Sequence, residues 1–556
     1  MPGGEKMNSS DSSTRPTYGN ILPYFVSCSI IILYVAYIAT YGVNVPYWDE
    51  WQIVPLFQKF YYGNLHFFEL LTAKHNEHLV FVSFSFMLLQ DLITGFNTKS
   101  LLYTSAILQI SSFLILSKIA WNLLAKNQLR PWLFVFMAIA IFSISQHKNT
   151  LWAFQTAWYL ITFLFAASLF VLEKTYSSSN KYFQIRLTIA ATLLAALASF
   201  CSFQGLIVWA AGAVFIFAKN DLSFSQLRRD RNAYIWLVCA SITLAVFSAI
   251  WLRDANQPPL FNGSLIARLG TSLYITVGTL GAAVGEAGSR IVMLSGGLYV
   301  LLLIGALVKI QRSSHRSEYA TPLALVSFGL IFGLLVGLGR APFGTSIVNE
   351  TRYGAYALLS TIGLVIIYFH KQSTGNDLLL SVLRKILLGY IVFSGAISGY
   401  CGLVKAIEWR TDQQIAAMLL KRYHQTSDFQ IKRVLFGDSS FVRANADFLA
   451  SHSLNLFSET TPGVPTNISA YATPPTSFVD VIERFPEDKI AINKLWDAYL
   501  IAGDLQRAFD VTSDDFAFKL MKWTSGATKD GGHYVGDYLK EYSNEYARIS
   551  EALSKP

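Results

Sequence analysis

Two carboxylates, Asp49 and Glu50, sit inside Tyr47-Trp48-Asp49-Glu50-Trp51 directly after the first apolar run, and a second polar cluster, His75-Asn76-Glu77-His78, follows. Acids beside a membrane are costly and persist where they do work. A carboxylate here suits a general base that takes a proton from an acceptor hydroxyl as that oxygen attacks an anomeric carbon. Adjacent residues on a helix point in different directions, so at most one of the pair faces a substrate, and Asp49 is the better candidate. The plain alternative is a helix cap flanked by interfacial tryptophans. Glu77 is either a second carboxylate, a ligand-orienting group, or part of a polar interfacial turn. His75 and His78 have a spacing that two metal ligands can adopt, but no third ligand lies near in sequence, so no metal is assigned.

Cations and amides recur at the ends of other apolar runs. Arg340 and Arg352 flank one connection, followed by Tyr353. The planar guanidinium fork grips phosphate oxygens, although an arginine at a span end also snorkels to headgroups. Tyr353 can bond the same phosphate or belong to an aromatic belt, and Lys148 can contact phosphate or anchor to headgroups. Gln146 and His147 lie in one turn, Trp152 and Gln155 on the run that leaves it, and Gln204 in a later turn. With His75 and His78, these are candidates for contacting a sugar or acceptor, and His147 is equally placed for a structural role.

The elements that must position these groups are membrane spans. The chain is 53% hydrophobic and 14% charged, against roughly 25% charged in soluble domains, so an all-α polytopic membrane protein is expected. Eleven spans are predicted, at 21–42, 100–123, 131–147, 151–173, 187–203, 205–219, 233–251, 290–309, 320–339, 353–370 and 386–405. The apolar stretch 79–95 is long enough to cross as well. If it lies along the membrane instead, five basic connections share one side: Lys126/Arg130, Lys174/Lys181/Arg186, Lys219/Arg228/Arg229/Arg231, Lys309/Arg312/Arg316 and Lys371/Arg384/Lys385. The positive-inside rule then puts them and the N-terminus in the cytoplasm. Segment 252–289, broken by Pro258-Pro259, reads as a second membrane-lying or re-entrant element. The domain expectation is a disordered cytoplasmic tail over 1–20, a membrane domain over 21–405 and a helical extracytoplasmic domain over 406–556, with helix-like patches at 412–424 and 489–509 and a break at 459–476. The net charge of +9 lies in short loops between spans and does not read as nucleic-acid binding. The four cysteines, Cys28, Cys201, Cys239 and Cys401, fall within apolar runs as small core residues.

The arrangement of a first span, an outer loop opening on Trp48-Asp49-Glu50-Trp51, a membrane-lying helix at 79–95, further spans and an outer C-terminal domain resembles the GT-C glycosyltransferases, polytopic enzymes that use polyprenyl-phosphate-linked sugars. The elements His75-Asn76-Glu77-His78, Asn149-Thr150-Leu151-Trp152-Ala153-Phe154-Gln155, Gln204-Gly205-Leu206 and Arg352-Tyr353 are similar to those of bacterial members of that class. In size and topology the chain is similar to the serotype-converting O-antigen glucosyltransferases. The resemblance implies a bacterial inner-membrane enzyme that moves a sugar from undecaprenyl phosphate to an envelope glycan or lipid acceptor at the periplasmic face. Arg340 and Arg352 would hold the phosphate, and Asp49, or else Glu50 or Glu77, would act as base. A phosphate leaving group carries its own charge, so the chemistry runs without a metal, although some members of the class use a divalent cation.

Other classes remain to be weighed. A flippase for lipid-linked sugars predicts charges deep in spans and internal repeats, whereas Lys118 is the clearest such charge and no repeat is evident. An O-antigen polymerase or ligase also has many spans and outer arginines, but concentrates function in a late loop. This chain's acids come directly after the first span.

Overall fold

A computed structural model describes residues 21–254, 264–285, 287–371, 378–426 and 428–458. The expected 1–20 tail, the Pro258-Pro259 break, and the tail features at 459–476 and 489–509 lie outside the described residues. The described chain is helical apart from one short hairpin of β1 (Lys74–His75) and β2 (His78–Leu79). Its first part comprises α1 (Leu22–Tyr41), α2 (Val54–Tyr61), α3 (Phe67–Leu71), α4 (Phe81–Thr94), α5 (Thr98–Leu123) and α6 (Arg130–Ile141). Next come α7 (His147–Leu151), α8 (Thr156–Ser177), α9 (Lys181–Ser199), α10 (Ile207–Lys219), α11 (Phe224–Leu227), α12 (Arg231–Trp251) and α13 (Leu265–Leu280). The last are α14 (Ser289–Gln311), α15 (Ala320–Arg340), α16 (Ala355–Tyr368), α17 (Leu378–Lys421), α18 (Asp428–Val434) and α19 (Ser439–Ser451).

Eight of these helices, α1, α5, α8, α9, α12, α14, α15 and α17, are long and apolar enough to cross a bilayer. An apolar helix with no polar face has either protein or lipid on every side. α16 takes the first course, with every residue from Tyr356 to Tyr368 buried. α12 takes the second, exposing Leu237, Val238, Ile242, Leu244 and Val246. Close crossings use small residues: a Cβ on Gly296 would sit 2.0 Å from the Val277 carbonyl oxygen, so α13 and α14 approach nearer there than a side chain allows.

The bundle has two chemically different ends. At one, the basic connections bond to one another: Ala125 N donates to Phe369 O (3.2 Å), Lys371 N to Leu123 O (2.9 Å), and Lys219 Nζ reaches Glu173 at 2.8 Å. At the other end lie the hairpin, the α6–α8 connection, the α9–α10 turn and the α15–α16 connection. α4 stays at this second end. Val82 N donates to Phe200 O (2.8 Å) at its start, and Gly95 O accepts from Asn455 N (2.8 Å) just past its finish. The 252–289 region leaves and rejoins at the same end, since Trp251 bonds the hairpin and Ser289 Oγ donates to Asn349 Oδ1 at 3.1 Å.

Two sequence expectations shift. The run 131–147 ends as a helix at Ile141, where Ser143-Ile144-Ser145-Gln146 turns the chain into α7. The domain boundary at 405/406 falls inside α17, which continues unbroken for 44 residues to Lys421. At about 66 Å it outruns the bilayer and projects beyond it. Apolar character fades near residue 405, but the helical pattern does not stop, because Ile415, Ala416, Leu419 and Leu420 form a buried stripe.

Candidate functional site

A cavity of about 240 Å³ opens at the end opposite the basic connections. Asp49, His75, Asn76, His78, Gln155, Gln204, Arg340, Arg352 and Tyr353 line it, with Phe154, Trp158, Ser202 and Phe343 among the remaining wall. Six separate stretches of chain therefore meet there, and eight of the sequence candidates face one space.

Asp49 and Glu50 part company as neighbours on one turn must. Asp49 lines the cavity, whereas Glu50 is 3% exposed and turns into the protein. One Glu50 oxygen accepts from Tyr47 N at 2.9 Å and the other from Phe154 N at 3.0 Å. The carboxylate thus ties the loop after α1 to the entry of α8. Burial pushes its pKa up, to about 8, against the amides of Tyr47, Phe154 and Ala153, which favour the anion. Glu50 is a structural tie and not a second acid in the cavity. Trp48, just before Asp49, holds φ at +46°, a conformation that a bulky L-residue adopts only under constraint. The constraint is visible: Trp48 N donates to Leu435 O at 3.0 Å, and Tyr47 packs edge-on against Trp409, 5.1 Å between ring centres. The extension of α17 and the α18 turn therefore brace the acidic loop from outside. Asn455 Nδ2 completes the brace by donating to Asn44 Oδ1 (2.8 Å) and Phe96 O (2.7 Å).

Glu77 sits at the tip of the hairpin, half exposed and outside the cavity wall. Its Oε1 accepts from Arg340 Nη2 at 2.7 Å and lies 3.6 Å from His78 Nε2. Burial opposes the Glu77 anion, but the Arg340 guanidinium bonded to it holds the carboxyl below its usual range. Burial pushes the His78 imidazole down, to about 4, and the charges of Arg340 and Arg352 act in the same direction. Among the described residues, His78 Nδ1 and Gln155 Oε1 line the cavity without a hydrogen-bond partner. Arg352 stacks over Tyr353 (5.2 Å to the ring centre), and its Nε, 3.7 Å from Glu350, finds no hydrogen-bond partner among those residues.

Four sequence candidates lie behind the wall. Lys148 is paired with Glu350 at 3.1 Å. Gln146 is buried and accepts from Asn149 Nδ2 at 3.3 Å, and His147 is buried 6.5 Å from the Trp409 ring. Trp152 Nε1 donates to Tyr47 O at 3.2 Å. They hold the loop and α7 in place. Trp158 and Ser202 were not singled out from sequence, though Trp158 follows Gln155 by three residues on one helical face. Among the described residues no three His, Cys, Asp or Glu side chains converge as a metal centre requires. All four cysteines are unpaired, and Cys201 contributes to the cavity wall.

No family model, curated protein or solved structure matches the chain.

The Glu50 tie makes a measurable prediction. Its folded pKa lies above the usual 4.5, so its contribution to stability is complete below about pH 4.5 and is lost as pH rises through about 8. Thermal unfolding of detergent-purified protein should show that decline, and Glu50→Gln should flatten it. Glu50→Ala leaves two amides unpaired at about 1–3 kcal/mol each and should unfold at clearly lower temperature. An unchanged unfolding temperature for Glu50→Ala would refute the tie.

Proposed function

We propose that the protein is a glycosyltransferase that takes a sugar from a polyprenyl-phosphate donor and passes it to an envelope glycan or lipid acceptor. The observation that carries the reading is the cavity itself. One accessible carboxylate, Asp49, shares a membrane-edge space with two guanidiniums, Arg340 and Arg352, and with the amides of Gln155 and Gln204. Its volume of about 240 Å³ is near the lower end of small-molecule sites, about 300–1,000 Å³, and suits a single sugar-phosphate head. In this reading Asp49 takes the acceptor's hydroxyl proton, and the arginines meet the charge left on the departing phosphate, electrostatic help of the kind that often dominates such reactions. Gln155 Oε1 and His78 Nδ1, both without partners, are ready contacts for sugar hydroxyls. Lys118, which a transporter would need deep in the bundle, is exposed on α5 near its basic end.

The same reading takes eleven crossings, the eight long helices together with α6, α10 and α16, which run between the two ends. It places the basic end in the cytoplasm of a bacterial inner membrane and the cavity on the periplasmic side.

Two experiments test this. With purified protein, labelled undecaprenyl-phosphate sugars and envelope glycans, Asp49→Asn should lose about 10²–10⁴-fold in turnover, the usual worth of general base catalysis, while still binding donor. Arg352→Ala should weaken donor binding. Wild-type protein that binds donor yet never transfers or hydrolyses it would refute the assignment. For orientation, single cysteines at Asn64 and Ser314, in a background without the four native cysteines, would be labelled in intact spheroplasts with an impermeant maleimide. Asn64→Cys should react and Ser314→Cys should not; the opposite pattern would invert the topology.

A further inference from the structure

His75 stands beside Asp49 in the cavity wall, with little of its ring exposed. It is 4% exposed, and its ring packs 4.7 Å from that of Phe154. Both ring nitrogens are engaged. Nδ1 lies 2.9 Å from Gln52 Oε1, and Nε2 lies 3.0 Å from Asn76 Nδ2 and 3.4 Å from Asp49 Oδ2. An amide oxygen only accepts and an amide nitrogen only donates. Gln52 therefore fixes the proton on Nδ1, and Nε2 carries the lone pair.

That tautomer sets a lone pair against a carboxylate oxygen, an unfavourable encounter while Asp49 is ionised. It becomes favourable once Asp49 carries a proton, because the new O–H can donate to Nε2 after closing about half an ångström, to ordinary hydrogen-bond length. The interaction is stronger after proton abstraction than before it, as a rate-enhancing contact must be. The backbone supports the same aim: Trp48, directly before Asp49, holds φ at +46°, and such a constrained conformation of a bulky residue clusters where side chains must be aimed.

We propose that His75 is a positioning residue for Asp49, held by Gln52 in the one tautomer that accepts Asp49's newly acquired proton. The inference rests on the transferase reading above and replaces the sugar-contact role that the sequence suggested for His75. In the step, the acceptor O–H breaks and its proton passes to Asp49. The acceptor oxygen bonds to the anomeric carbon, and the bond from that carbon to the phosphate oxygen breaks with its electron pair staying on the phosphate. His75 Nε2 shares the proton on Asp49 until water in the cavity removes it.

The test uses the purified full chain and undecaprenyl phosphate carrying labelled glucose, galactose or arabinose, following transfer to envelope glycan and hydrolysis by water. His75→Ala should lower kcat by about 10–100-fold, the scale of an orienting partner, with donor KM within about twofold. Gln52→Leu, a change outside the cavity wall, should lower kcat in the same way and keeps the test available if His75→Ala does not fold. Added imidazole should restore part of the His75→Ala rate, which a purely structural histidine would not show. A raised KM with kcat held would return His75 to sugar binding and overturn the proposal. So would loss that tracks a lower unfolding temperature without imidazole rescue, or unaltered rates in both variants. If the wild type neither transfers nor hydrolyses, the transferase reading fails and this proposal falls with it. Wild-type turnover with unaltered variants sinks only the role of His75.

Discussion

The buried Glu50 carboxylate, bonded to Tyr47 N and Phe154 N, is the constraint on which the site depends. It joins the loop that follows the first span to the entry of the central helix α8, and in doing so it turns Asp49 outward. A carboxyl group so deeply buried holds only because backbone amides satisfy its oxygens. Everything else around the loop reinforces that direction: Trp152 caps the Tyr47 carbonyl, and Leu435 holds the Trp48 amide in its left-handed conformation. The extension of α17 beyond residue 405 and the α18–α19 elements are thus part of how the acid is aimed. The described part of the tail is continuous with the membrane helix and packs on its loop.

The cations have a different logic. Arg340 and Arg352 line the cavity, yet each lies near a protein carboxylate, Glu77 for the first and Glu350 for the second. Partners of this kind keep two guanidiniums from repelling one another in a semi-enclosed space. In the transferase reading they also set a threshold, because an incoming anion must offer each arginine a better bond than a carboxylate does. A phosphate with its several oxygens does so through the planar fork. Glu77 and Glu350 are then counter-ions of the site, and among the described residues Asp49 is the carboxylate of the cavity wall with no arginine or lysine bonded to it.

Much of this was legible in the residues. Neighbouring acids on one turn diverge, which separates Asp49 from Glu50; the charge pattern keeps 79–95 at one end, and both termini of α4 bond to elements of that end. What sequence did not reveal was which face of a turn looks into the cavity. Gln146, His147, Lys148 and Trp152 lie close in sequence to Gln155, but α7 and the single turn before α8 rotate them behind the wall. Hydropathy ends the span near residue 405 although the helix runs on to Lys421, because hydropathy reports the solvent around a helix and not its hydrogen-bond ladder. Gln52 went unnoticed since its importance lies in one contact with His75, 23 residues away.

In the proposed reading a lipid-borne phosphate enters this cavity and is held by Arg340 and Arg352 opposite Asp49. A cryo-EM structure of the protein in nanodiscs with undecaprenyl phosphate tests this directly. Density for the phosphate should lie between the two guanidiniums, with Arg340 drawn away from Glu77 and the polyprenyl chain leaving toward the membrane. Phosphate density elsewhere on the protein, or both arginines still bound to their carboxylates at saturating lipid, would contradict it.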